Sequence, residues 1–238
     1  MVQLTLRASV LCLTVGLVAA PGCNQAGSCQ TDADCPADAY CGTEHACFSP
    51  VIAITTPATN PAYASGALTL EATVAGGTPD RVEFLVDGNS IAVLTSPPFR
   101  TSWNTAAVNE GQHVVIARTL SLFKAGAYSP RLTVIVDRTP PAVDSVSPSP
   151  ESNIDASSLL SILFSEPMLP ASITATSVTL SADAGTVAHV SALSADGKTL
   201  TLTPGAFARP ARIDLTLNGL TDLAGNGLPL ARLSWNVP

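Results

Sequence analysis

Arg81-Val82-Glu83-Phe84-Leu85-Val86-Asp87-Gly88-Asn89 decides the fold class. Val82, Phe84 and Val86 alternate with Arg81, Glu83 and Leu85, which gives one apolar and one mixed face, the pattern of a half-buried strand. Asp87-Gly88-Asn89 then supplies a turn, because Gly and Asn tolerate positive φ. The neighbouring runs repeat this theme: Val51 to Thr55, Ala67 to Val74, Ser90 to Leu94, Phe99 to Trp103, His113 to Thr119 and Arg131 to Val136. Seven short runs separated by Pro, Gly, Asn and Asp predict an all-β sandwich.

Asp137-Arg138-Thr139-Pro140-Pro141 ends this block. Its two prolines fix φ and remove two donors, so it reads as an extended spacer at a domain boundary. Beyond it, Ile213, Leu215 and Leu217 alternate with Arg212, Asp214 and Thr216, while Leu200 and Leu202 stand among threonines after an Asp196-Gly197 turn. A second strand-rich module is therefore expected over residues 139–238, following a first over residues 50–138.

Both blocks carry family resemblances. Val82-Glu83-Phe84-Leu85-Val86-Asp87-Gly88, Pro97-Pro98-Phe99, Trp103-Asn104-Thr105 and Glu110-Gly111-Gln112-His113 resemble a bacterial immunoglobulin-like domain of the disulfide-free kind, with Trp103 as a core or edge aromatic. Ile162-Leu163-Phe164-Ser165-Glu166-Pro167-Met168, then Asp196 to Pro204, then Asp222-Leu223-Ala224-Gly225-Asn226, resemble the Ig-like domain of surface-layer proteins. These resemblances imply two tandem Ig-like sandwiches.

The N-terminal region obeys different chemistry. Ala8 to Ala20 is an apolar run of 13 residues between Arg7 and Pro21-Gly22-Cys23. It is shorter than the roughly 20 residues a membrane-spanning helix needs, and residues 1–22 read as a signal peptide. Six cysteines lie at 12, 23, 29, 35, 41 and 47. If Cys12 leaves with the signal and Cys23 is acylated, Cys29, Cys35, Cys41 and Cys47 remain to form two disulfides, with three connectivities open. Ordinary cleavage before Cys23 would instead leave one unpaired thiol.

Ala19-Ala20-Pro21-Gly22-Cys23 resembles the lipobox of bacterial lipoproteins, with Gly22 on pattern and Pro21 and Ala20 off it. The resemblance implies lipidation of Cys23, and Asn24 in place of aspartate implies an outer-membrane destination in a Gram-negative envelope. Residues 23–49 then form a lipidated N-terminus with a Cys-rich segment too short to fold without covalent help. Their x5 spacing and oxidising compartment favour disulfides over a zinc site with His45. Asp32, Asp34, Asp38 and Glu44 read as turn residues, since the glycine-bearing spacing of a calcium loop is missing.

No part of the chain spells a catalytic site: Gly-x-Ser-x-Gly, His-Glu-x-x-His and Gly-rich phosphate loops are absent from the sequence. His113 and His189 read as ordinary strand residues. Asp222 and Asn226 read as an architectural turn around Gly225, and Glu166-Pro167 as a strand end with an acidic cap. Asp137 could share a calcium ion with a neighbouring module, although Asp144 is the nearest other carboxylate in sequence. With a net charge of −7 and only Lys124 and Lys198 as lysines, no basic patch exists for nucleic acid.

The expectation is a non-enzymatic envelope lipoprotein held to a membrane by its anchor, without cofactor or metal, presenting the sandwiches to an envelope protein or glycan. Alternatives are a glycan-binding adhesin using Tyr63, Tyr128 or Trp235, and an accessory subunit of an exported enzyme.

Overall fold

The computed structural model describes residues 29–238 apart from 37–38, 43, 77–78, 121–124, 184 and 207–208. Residues 1–22, expected to be a signal peptide, and Cys23, Asp38 and Lys124 therefore lie outside the described residues. The chain is all-β, with three short 3-10 turns as its helical elements among the described residues. No described helix is long and apolar enough to cross a membrane.

A two-stranded ribbon comes first, with β1 (Tyr40–Cys41) antiparallel to β2 (Cys47–Phe48). Disulfides Cys29–Cys41 and Cys35–Cys47 interlock across it, each spanning 12 residues. Cys29 and Ala39 are the buried apolar residues among those described in it, too small a core to hold the segment closed without covalent links.

The first sandwich contains β3 (Val51–Thr56), β4 (Ala62–Ala64), β5 (Ala67–Ala75), β6 (Arg81–Val86), β7 (Asn89–Leu94), β8 (Phe99–Asn104), β9 (Gly111–Leu120), β10 (Ala125–Tyr128) and β11 (Leu132–Val136). Its sheets run β3-β5-β8 and β4-β11-β9-β6-β7, with β10 also on β9. All seven predicted runs are strands. The two short additions, β4 and β10, carry too few residues for alternation to show. They form because the edges of β11 and β9 offer unpaired backbone groups, β4 pairing parallel and β10 antiparallel.

Alternation holds where it was clearest. Val82, Phe84 and Val86 enter the core with Leu70, Trp103, Val115 and Val134. Glu83, on the opposite face, is nevertheless buried, because the register sets it across from Arg118 and the two side chains meet at 2.6 Å. At the β6–β7 turn the positive φ falls on Asp87 (50°) and Gly88 (82°) rather than on Asn89. Two consecutive positive φ values match the right-handed strand twist.

The second sandwich contains β12 (Val143–Ser147), β13 (Leu160–Phe164), β14 (Val178–Ala182), β15 (Gly185–Thr186), β16 (His189–Leu193), β17 (Thr199–Pro204), β18 (Ala211–Leu217) and β19 (Ala231–Val237). Sheet β12-β13-β17-β16 faces sheet β15-β14-β18-β19. Leu160, Ile162 and Phe164 from one sheet pack against Leu180, Ile213 and Leu215 from the other. Full burial of each such side chain contributes about 1.5–3 kcal/mol. Trp235 is completely buried among them, its indole N–H donating to the Pro148 carbonyl at 3.0 Å.

Candidate functional site at the junction

Asp137 follows β11 directly, at the end of the first sandwich. From the second sandwich come Glu166, just after β13, and the loop Asp222 to Asn226 between β18 and β19. Oxygens of Asp137, Glu166 and Asp222 lie within 4.8 Å of one another, close enough to converge on one cation. In sequence, Asp137 has only the more distant Asp144 as a carboxylate neighbour, and Asp222 with Asn226 forms a separate pair of oxygens near one turn. Asp144 sits within β12 and is not part of the cluster.

The loop is built as its residue types dictate. Asp222, 1% exposed, accepts at Oδ1 from the N–H groups of Ala224 and Asn226, both at 2.8 Å. Gly225, at φ 89°, makes the left-handed step that this wrapping requires. The Asn226 amide group donates twice, to Asp222 Oδ2 at 2.8 Å and to the Asp137 carbonyl at 3.0 Å. The architectural turn read from sequence is present, and it also grips the preceding module. Ser65, beyond β4, adds a bond from its hydroxyl to the Ala224 carbonyl at 3.0 Å.

Electrostatics at this point are strained. Glu166 is pushed up to about 7, first by desolvation and then by its hydrogen bond and charge interaction with Asp137, with Asp222 adding to the effect. Lys198 opposes the shift. One proton between Glu166 and Asp137 removes one of the repelling charges and supplies the donor that two carboxylates lack. Glu166 is therefore more than the acidic cap expected at a strand end.

Asp32 and Asp34, among the other polar candidates, are bonded into the architecture. Asp34 accepts from the N–H groups of Gln30 and Thr31 at 2.9 and 2.8 Å, which lowers its pKa, and Asp32 accepts from Cys41 N–H at 2.8 Å. The sulfurs of Cys29, Cys35 and Cys47 also lie close together, but each is consumed by a disulfide and so is no thiolate ligand. His45 contacts the Cys29 carbonyl at 3.1 Å, and His189 the Val187 carbonyl at 3.4 Å. His189 also borders an apolar cavity of about 340 Å³, lined in part by Ile173, Leu180 and Val187.

His113 bridges Asp87 Oδ2 at 2.6 Å through Nδ1 and the Asn109 carbonyl at 2.9 Å through Nε2, so both ring nitrogens face acceptors. The Asp87 hydrogen bond leads the causes that raise its pKa. Trp103 meets this imidazole edge to face at 5.7 Å and is a core residue. Of the three aromatics considered for sugar stacking, Trp235 is excluded by its burial and Tyr63 is half-buried. Tyr128 is 56% exposed, its hydroxyl 3.4 Å from Arg118.

Residues 50–117 match the bacterial Ig domain family and residues 137–236 the bacterial Ig-like domain family. No curated protein matches the chain. Among solved structures, the fibronectin(III)-like modules of CbhA from Clostridium thermocellum align at 18% identity over 79% of this chain and 94% of that one, with a TM-score of 0.45. The N-terminal part of the bacterial S-layer protein SbsC aligns at 19% identity over 42% of this chain and 24% of that one, with a TM-score of 0.34. The FN1–FN3 domains of chicken CNTN1 align at 12% identity over 74% of this chain and 62% of that one, with a TM-score of 0.43. Together with the strand order, the family matches identify the two sandwiches as bacterial Ig-like domains arranged in tandem.

Proposed function

We propose that this chain is a non-enzymatic cell-envelope lipoprotein, anchored through acyl chains on Cys23, that presents its Ig-like pair as a structural and interaction module at the outer membrane. The observation carrying this reading is the arrangement along the chain. A disulfide-tied segment begins at Cys29, close behind the lipobox-like sequence, and two sandwiches with closed cores follow it. The polar clusters in those sandwiches serve turns, strand pairs and the junction. Several acyl chains on one cysteine, at about 0.8 kcal/mol per buried methylene, would hold such a unit stably on a bilayer.

Radioactive palmitate labelling of the full chain in a Gram-negative host tests the anchor. Label should appear in the wild type, be lost in Cys23→Ser and fractionate with the outer membrane. A Cys23→Ser chain that still takes up label would overturn the reading.

A second reading, glycan or envelope-protein binding on the outer face of the first sandwich, is favoured by Tyr128. Its exposed ring carries a hydroxyl beside Arg118, whose guanidinium in turn holds the buried Glu83, so an apolar ring adjoins hydrogen-bonding groups. Screening the chain against peptidoglycan fragments and glycans should give binding that Tyr128→Ala abolishes. Binding unaffected by this substitution would move the site elsewhere.

A further inference from the structure

We infer that the Asp222–Asn226 loop is a latch that locks the second Ig-like module onto the linker of the first, so that the pair moves as one stiff body rather than as two domains on a hinge. This goes beyond the proposed function and does not depend on the lipid anchor.

A hinge needs backbone that can turn without losing bonds, and this linker has none to spare. Asp137 N–H donates to the Ala64 carbonyl at 3.0 Å, continuing the pairing of β4 with β11. Arg138 N–H donates to Glu110 at 2.9 Å, and Thr139 N–H to Asp137 Oδ1 at 3.0 Å. Pro140 and Pro141 have no N–H, and their ring-fixed φ removes the rotation a hinge would use. Ala142 N–H donates to Ser165 Oγ at 2.9 Å, while Ser165 N–H returns to the Ala142 carbonyl at 2.9 Å. Every backbone donor from Asp137 to Ala142 is thus engaged.

Side chains hold the same stretch from both ends. Arg138 reaches back to the carbonyls of Thr105 and Val108, each at 3.1 Å, and Thr139 Oγ1 donates to Glu110 at 3.1 Å. These contacts bind the linker to the first module. Beside the Ala142–Ser165 pair and the Glu166–Asp137 contact, the latch adds two bonds to the second module: Asn226 on the Asp137 carbonyl, and Ser65 on the Ala224 carbonyl. Asp222 prepares the latch by holding Asn226 at both its backbone N–H and its side-chain amide. A swing of the modules would break these two bonds together.

The test is a distance distribution between nitroxide-bearing non-canonical residues placed at Val93 and Val190, two exposed strand positions in different modules, which leaves the disulfides intact. Electron-electron resonance on the full chain should give one narrow distribution. Asn226→Ala combined with Ser65→Ala should broaden it at least twofold while Trp235 fluorescence reports an intact second sandwich. If Asn226→Ala unfolds that sandwich, Ser65→Ala together with a four-residue Gly-Ser insertion between Pro140 and Pro141 replaces it, and should broaden the distribution by the same measure. A broad wild-type distribution, or a folded latch variant as narrow as the wild type, would overturn the inference.

Discussion

Glu166 of the second sandwich and Asp137 at the end of the first meet carboxyl to carboxyl across the domain junction. Asp222 stands beside them, buried and bonded into its own loop. Burial first, and then the two neighbouring carboxyl groups, raise the affinity of Glu166 for a proton.

The stability of the tandem should therefore fall as pH rises through this group. Glu166 has a folded pKa of about 7, above its ordinary 4.5. Between those values the native state binds more protons than the unfolded chain, so the contribution is fully present below about pH 4.5 and lost as pH passes 7. Glu166→Gln keeps the shape and removes the titration. We predict that it stabilises the protein by on the order of 1 kcal/mol at pH 8, after allowance for solvent screening, with little effect at pH 4.5. Denaturant melts at the two pH values check this, and an equal effect at both would sink it.

His113 works in the opposite chemical sense, as a cation held by Asp87. Its folded pKa is raised, so its contribution is fully present below the unfolded imidazole value and is lost as pH rises through the folded value. In Asp87→Asn the ring should titrate closer to an ordinary histidine, and the protein should lose stability, by on the order of 0.5 kcal/mol after allowance for solvent screening of the half-exposed Asp87, near pH 5.5 with a smaller loss at pH 9. NMR titration of the imidazole resonances reads the first effect directly. An unchanged titration midpoint would show that Asp87 does not hold the charge.

Trp235 anchors the second sandwich with both its area and its N–H. Trp235→Phe leaves the Pro148 carbonyl without that donor and removes part of the packed ring, a loss of about 1–3 kcal/mol. Trp235→Ala should cost about 3–5 kcal/mol. Urea unfolding followed by Trp103 fluorescence tells whether the first sandwich is spared. A Trp235→Phe chain as stable as the wild type would deny the hydrogen bond its role.

The Cys-rich segment should be separable from the rest by reduction. Each disulfide closes 12 residues and contributes about 3 kcal/mol by restricting the unfolded chain, in a segment whose described residues bury only Cys29 and Ala39 as apolar side chains. Under a phosphine reductant, amide signals of residues 29–48 should collapse toward random-coil positions while strands from Val51 onward keep theirs. Collapse of the sandwiches under the same treatment would contradict the assignment of separate cores.

Much of this architecture is local physics and is therefore legible in the chain itself. Alternation at Val82-Phe84-Val86 and at Ile213-Leu215-Leu217 sets which side chains face inward, since successive strand residues point to opposite faces. Asp87-Gly88 and Asp222 to Asn226 specify their turns through positive φ and short polar side chains, with no help from distant residues. The even set of four cysteines after residue 28 specifies two bonds, but three pairings satisfy that count equally.

Only the tertiary structure chose among such equals. It decided that Cys29 joins Cys41, that Glu83 is buried against Arg118, and that Trp235 lies in the core. It also decided that Asn226 reaches the carbonyl of Asp137, 89 residues earlier in the chain. The physical reason is the same in each case. A side chain's local period fixes its direction, but its partner is fixed by strand pairing and by how two modules close on their linker, which no short stretch of sequence contains.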